Sequence, residues 1–158
     1  MICGNASNVP NILEKKNKAI GTIRSITNMI KGLETYTIKN GLIYLNSLLR
    51  SSILYAGETY YNLSEKELRM LEVIEEECLS KILNTGQNCP KALLYLETGH
   101  QPACFHIFRM MLNFLKYILD QESSSIISRF FIAQKENPIK GDWVSCVRKL
   151  IIDMNINF

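Results

Sequence analysis

Apolar residues recur at every third or fourth position along almost the whole chain, and no stretch sustains the alternation that a half-buried strand needs. That periodicity confines the sequence to helices packed on helices. Ile12, Ala19, Ile20, Ile23, Ile26 and Ile30 fall on one side of a helical wheel and predict a first helix over 11–31, stopped by Gly32. Leu42, Leu45, Leu49, Ile53 and Ala56 predict a second over 38–60. The third has the clearest start. Ser64 is its N-cap, Glu67 completes a capping box, and Leu63 is placed to staple onto Leu68. Its stripe runs through Leu68, Leu71, Ile74, Cys78, Leu79 and Ile82, with Gly86 as the stop. Glu75 projects onto the middle of that stripe. Either a partner satisfies it, or the face is less buried than its pattern suggests.

Pro90 and Pro102 each suit the first position of a helix. They predict a short helix over 90–96, a break at Thr98-Gly99, and a long helix over 102–121 lined by Phe105, Phe108, Met111, Leu112, Leu115 and Leu119. A further helix covers 124–134 and ends before Asn137-Pro138. The last takes Asp142 as N-cap and carries Val144, Val147, Leu150, Ile151 and Met154. The expected fold class is all-α, a bundle of six or seven helices with short loops.

Composition narrows the class without naming a function. At 158 residues, 47% hydrophobic and 21% charged, the chain is not intrinsically disordered. A net charge of +3 is too mild to mark a nucleic-acid binder. Met1–Pro10 shows no secretory pattern. No run approaches the roughly 18 apolar residues of a membrane span. The cysteines Cys3, Cys78, Cys89, Cys104 and Cys146 are scattered, with no Cys-x-x-Cys pair. The expectation is an intracellular protein, cytoplasmic or nuclear, with reduced cysteines and no membrane partner.

Charge is uneven along the chain. Residues 11–50 carry Lys15, Lys16, Lys18, Arg24, Lys31, Lys39 and Arg50 against two acids, a balance of +5, whereas residues 51–85 come to −4. The cations of the first helix spread around its wheel, as on an ordinary solvated helix surface.

Catalytic chemistry is hard to find. The three aspartates, Asp120, Asp142 and Asp153, are far apart in sequence, and a two-metal phosphoryl-transfer site needs clustered carboxylates. No phosphate-loop, dinucleotide or nucleophile-elbow motif occurs. Cys89, His100, Cys104 and His106 match no zinc spacing, and Cys104 and His106 would point to different sides of one helix. Trp143, Phe105, Phe108, Phe130 and Phe131 read most simply as core, with a base-stacking platform as the sharper alternative. Neither an enzymatic activity nor a cofactor or metal is expected.

One ordered set of segments resembles a known family. Leu54-Tyr55-Ala56-Gly57-Glu58-Thr59-Tyr60 is followed by Leu71-Glu72-x-Ile74 and then Cys78-Leu79-Ser80-Lys81-Ile82-Leu83. After Pro90 come Leu94-Tyr95-Leu96-Glu97-Thr98-Gly99 and Pro102. This order resembles the thumb and following region, downstream of the polymerase palm, in reverse transcriptases of non-LTR (LINE-type, Jockey-like) retrotransposons. It covers about residues 2–120, with Ile2-Cys3-Gly4 as a remnant of the strand end that precedes the thumb. Tyr60 stands where the family has tryptophan, and Glu76, Glu77 and Ser80 stand where it is often basic. The paired catalytic aspartates of the palm have no counterpart.

The resemblance implies a non-catalytic fragment, and with the helical reading of the last forty residues, which it leaves uncovered, the chain is expected in three parts. Residues 1–10 would be a strand remnant or disordered start, 11–86 a thumb-like three-helix region, and 87–158 a C-terminal helical region packed as one unit with it. It also implies weak, sequence-independent contact with the backbone of an RNA–DNA or DNA duplex through Lys15, Lys16, Lys18, Arg24, Lys31, Lys39 and Arg50. The alternative is a helical protein–protein interaction module without nucleic-acid binding, which the acidic third helix favours.

Overall fold

Periodicity of this kind yields helices wherever caps and turns permit. The computed structural model of the chain describes residues 9–32, 37–86 and 88–155. Of these, 76% are helical, in seven helices, and no strand occurs among the described residues. The fold class is all-α. Ile2-Cys3-Gly4 and the side chain of Lys31 lie outside the described residues.

The helices group into two compact units. The first comprises the described residues of Met1–Tyr55 and Leu63–Cys104, the second those of Ala56–Asn62 and Phe105–Phe158. One division between the units falls within the long helix, between Cys104 and Phe105.

In the first unit, α1 is Val9–Gly32. It packs on the next two helices and buries Ile12, Ala19, Ile23 and Ile26. Helix α2 starts at Ile38, where the Thr37 side chain accepts from the Asn40 N–H. It widens into a π-helical stretch over Leu45–Arg50 and ends with Ser51–Ile53. The i→i+5 register of that stretch brings Arg50 inside beside Leu45 and Leu49, which periodicity at 3.6 does not foresee. Helix α3, Glu65–Ile82, has the full capping box. The Ser64 hydroxyl accepts from the Glu67 N–H at 3.3 Å, and the Glu67 carboxylate accepts from the Ser64 N–H at 2.8 Å. Helix α3 stops at Leu83, followed by left-handed Asn84 at φ 52°, so the break precedes Gly86. The short α4, Lys91–Thr98, packs on α3 and ends at left-handed Gly99. Pro90 sits just outside α4 and is its N-cap rather than its first helical residue.

The predicted continuation of α2 to residue 60 fails. Ala56 is left-handed at φ 57°, and Gly57–Thr59 form a 3₁₀ turn in the second unit. A Cβ on Gly57 would lie 2.8 Å from Met110 Sδ, so the turn and the neighbouring helix approach closely there. That helix, α5, is Ala103–Leu119. Its buried line in the second unit is Ile107, Met111, Leu115 and Ile118, rotated from the predicted stripe, and Phe105 and Leu119 are half exposed. Helices α6, Ile126–Glu136, and α7, Trp143–Asp153, start with Ser125 and Asp142 as N-caps. Ser128 buries its hydroxyl against the Ile118 carbonyl, and Val144 and Val147 complete the core of this unit.

Candidate functional site

The described cations that sequence singles out have different surroundings. The Lys15 ammonium donates to the Ile53 carbonyl at 3.1 Å and to the Tyr55 carbonyl at 3.2 Å. It thus satisfies the orphan carbonyls at the end of α2. Burial, and then the charge of Lys18, hold its pKa below the usual ammonium value. Lys18 pairs with Glu14 one turn back on an exposed face. That hydrogen bond, followed by the charge of Lys18, lowers the Glu14 pKa. Arg24 and Lys39 are exposed and Lys16 half-buried, and none of the three forms an ion pair among the described residues.

Arg50 is an interior residue, only 8% exposed. Its Nε–H donates to Glu75 Oε1 at 2.5 Å, one terminal nitrogen to the Gln101 carbonyl at 2.6 Å and the other to the Asn46 side chain at 3.3 Å. It leaves the set of backbone-contacting candidates, because a guanidinium enclosed in this way has no phosphate within reach. The partner that Glu75 requires is therefore Arg50. Glu75 is fully buried, and burial is the first cause that raises its pKa. The Arg50 hydrogen bond and charge, and the Ala103 N–H at the start of α5, oppose that rise, while Glu72 adds to it.

A second arginine lies on α3 itself, the helix of Glu75. Arg69 makes a bidentate pair with Glu76 at 2.6 Å for both contacts and meets Glu72 at 3.0 Å. Lys91 of α4 reaches Glu76 from the other side at 3.6 Å. Glu76, at a position where the resembled family is often basic, thus holds two of this chain's own cations. Burial pushes the Cys78 thiol up to about 12, so it is a packing residue and not a nucleophile. Beside this network, a groove of about 390 Å³ runs between α3 and α4, lined by Glu76, Glu77, Ser80, Lys81, Cys89 and Lys91 among others. Its charges are mixed and largely self-compensated. Among the described residues, no three His, Cys, Asp or Glu side chains come together as a metal ion would require. No helix among them is long and apolar enough to cross a membrane.

The second unit offers a different surface. Phe130, read from sequence as core, is 68% exposed, Ile126 is 73% exposed and Ile152 67%. The 3.6-residue pattern of α6 cannot reveal this, because a helix packed on one stripe still carries Ile126 and Phe130 around to solvent. Trp143 is held more firmly. Its Nε1–H donates to the Glu58 carbonyl at 3.0 Å and its ring meets the Phe114 ring edge-on at 5.4 Å. Two apolar grooves open over α5, α6 and α7. One, of about 360 Å³, is lined by Leu115, Leu119, Phe131, Val144, Ile151 and Ile152, with Lys135 and Arg148 as its charged lining. The other, of about 270 Å³, shares Phe131 and Val144 with the first and has Ile126, Ile127 and Phe130 along it. This stretch of exposed hydrocarbon is the candidate site.

No family model, no curated protein and no solved structure matches the chain.

Proposed function

We propose that the chain is a non-catalytic helical protein–protein interaction module. The observation that supports this is the apolar pair of grooves on the second unit, rimmed by Ile126, Phe130 and Ile152 at two-thirds exposure or more. Clustered exposed apolar side chains of this size favour a protein surface as their counterpart. A second reading is the thumb-type grip on a nucleic-acid duplex implied by the family resemblance. Lys16, Arg24 and Lys39 favour it, since none forms an ion pair among the described residues. On a helical wheel, however, Lys16, Lys18 and Arg24 diverge.

One experiment separates the two. A photo-crosslinking benzoylphenylalanine is placed at Phe130 in one preparation and at Arg24 in another, and each is irradiated in an extract of the source cells supplemented with a labelled RNA–DNA hybrid. The interaction reading expects protein adducts from position 130 and no hybrid adduct from position 24. Hybrid adducts at position 24, with a log affinity against log salt slope of about −2 to −4, would put the nucleic-acid reading in its place.

A further inference from the structure

We infer that the groove between α5, α6 and α7 is a docking site for an amphipathic helix carrying acidic side chains beside its apolar stripe. The inference rests on the interaction-module reading and adds the chemistry of the partner. The groove lining is apolar except for Lys135 of α6 and Arg148 of α7, and no acid lines it. Neither cation forms an ion pair among the described residues. The acid that feels Arg148 is Asp142, and its carboxylate is already engaged as a cap. One oxygen accepts from the Ser145 N–H at 2.7 Å and the other from the Ile139 N–H at 2.9 Å.

Two uncompensated cations on an apolar groove decide what fits there. A purely apolar partner would strip water from both without replacing it, which is costly for a charge. A basic partner would be repelled. A carboxylate beside the apolar stripe compensates each cation and fixes register. The shape agrees with a helix: the second groove continues the first through Phe131 and Val144, which suits anchors at i, i+3, i+4 and i+7.

The test uses the full chain and two synthetic labelled amphipathic peptides of about four helical turns. Both carry the same leucine stripe, one flanked by glutamate and the other by lysine. Fluorescence anisotropy should show the glutamate peptide binding about tenfold more tightly than the lysine peptide. The double variant Lys135→Glu, Arg148→Glu should invert that preference. Ile152→Ser with Phe130→Ser should weaken both peptides, with the circular dichroism spectrum unchanged. Equal binding of the two peptides, or a preference that the charge reversal leaves intact, would overturn the acidic assignment while the groove stayed an interaction surface. If neither peptide binds and the chain sediments as a monomer, the docking site and the module reading fall together. Self-association that Phe130→Ser abolishes would identify a second copy as the occupant and reject the acidic helix.

Discussion

In the unit built from Met1–Tyr55 and Leu63–Cys104, two arginines are held by the glutamates of one helix, and one of those pairs lies entirely inside. In the unit built from Ala56–Asn62 and Phe105–Phe158, the core is aliphatic and aromatic, and hydrocarbon is left facing water along α6 and α7. The two units answer opposite problems. A buried ion pair adds little net stability compared with a well-packed apolar substitute, since desolvation offsets the attraction. The Arg50 guanidinium does bond to α2, α3 and the segment before α5 at once, so it admits only one register among them. The second unit has no such internal lock among the described residues, and its incomplete surface is where an outside helix would add its own apolar face.

The comparison is broken most forcefully at Glu75. Replacing Glu75 by Leu alone leaves the Arg50 charge buried without its counter-ion and should cost about 3–5 kcal/mol in chemical denaturation. Combining it with Arg50→Met should recover most of that loss, because the charge that needed compensation is gone. A neutral Glu75→Leu would show that Arg50 swings out to water, and the interior lock would not exist. The pair also has a pH signature. Burial raises the Glu75 pKa, so the folded chain holds this proton more tightly than the unfolded chain does. Its favourable contribution is complete below the unfolded value of about 4.3 and is lost as pH rises through the folded value. Measured from about pH 4 to pH 7, wild-type stability should therefore fall relative to Glu75→Gln as pH increases. Burial, and then Arg50, Glu72 and the Ala103 N–H, set the midpoint. Glu14 and Asp142, whose pKa values are lowered, act in the opposite sense and cancel in the difference.

A smaller effect belongs to the helix starts, where the two units are alike. Ser64, Ser125 and Asp142 each accept from an N–H three residues on. Ser64→Ala should cost roughly 0.5–2 kcal/mol, and the companion change Asp142→Ala a similar amount. An unfolding midpoint untouched by Ser64→Ala would mean that Glu67 alone organises the first turn of α3.

The caps at Ser64 and Asp142 were legible because an N-cap is a local pattern, whereas Ser125 was not singled out. Ser64 with Glu67 needs only the spacing of three, and Asp142 needs only a cap residue ahead of an apolar-periodic run. Most of the helices were legible for the same reason, from one period repeated. The end of α2 was not. Its break at Leu54 leads into left-handed Ala56 and a 3₁₀ turn at Gly57, a change of conformation that a repeated period does not mark. The site was read least well. Glu75 on an apolar stripe announced that a partner must exist, yet Arg50 reaches it through a π-helical register that propensity does not encode. Lys15 at the end of α2 is likewise a tertiary contact, 38 residues from the carbonyl of Ile53. Phe105 and Phe130 were misplaced because an aromatic at helical spacing reads as core whether or not another element covers it.

The smallest effect on stability sharpens the comparison most. Phe130 and Ile126 are large apolar residues, so a hydrophobic side chain of this kind placed in a core would cost about 2–5 kcal/mol when cut back. At 68% and 73% exposure they have little burial to lose. Phe130→Ser and Ile126→Ser should each shift folding stability by no more than about 0.5 kcal/mol, as changes at an open surface do. Chemical denaturation of the two variants checks this. A loss well above 1 kcal/mol at either position would mean that α6 packs its apolar side chains inward in solution, and the grooves over α5, α6 and α7 would then be interior space rather than a surface. A negligible loss leaves two bulky apolar side chains that do nothing for the fold, which is the state expected of residues whose burial awaits another chain.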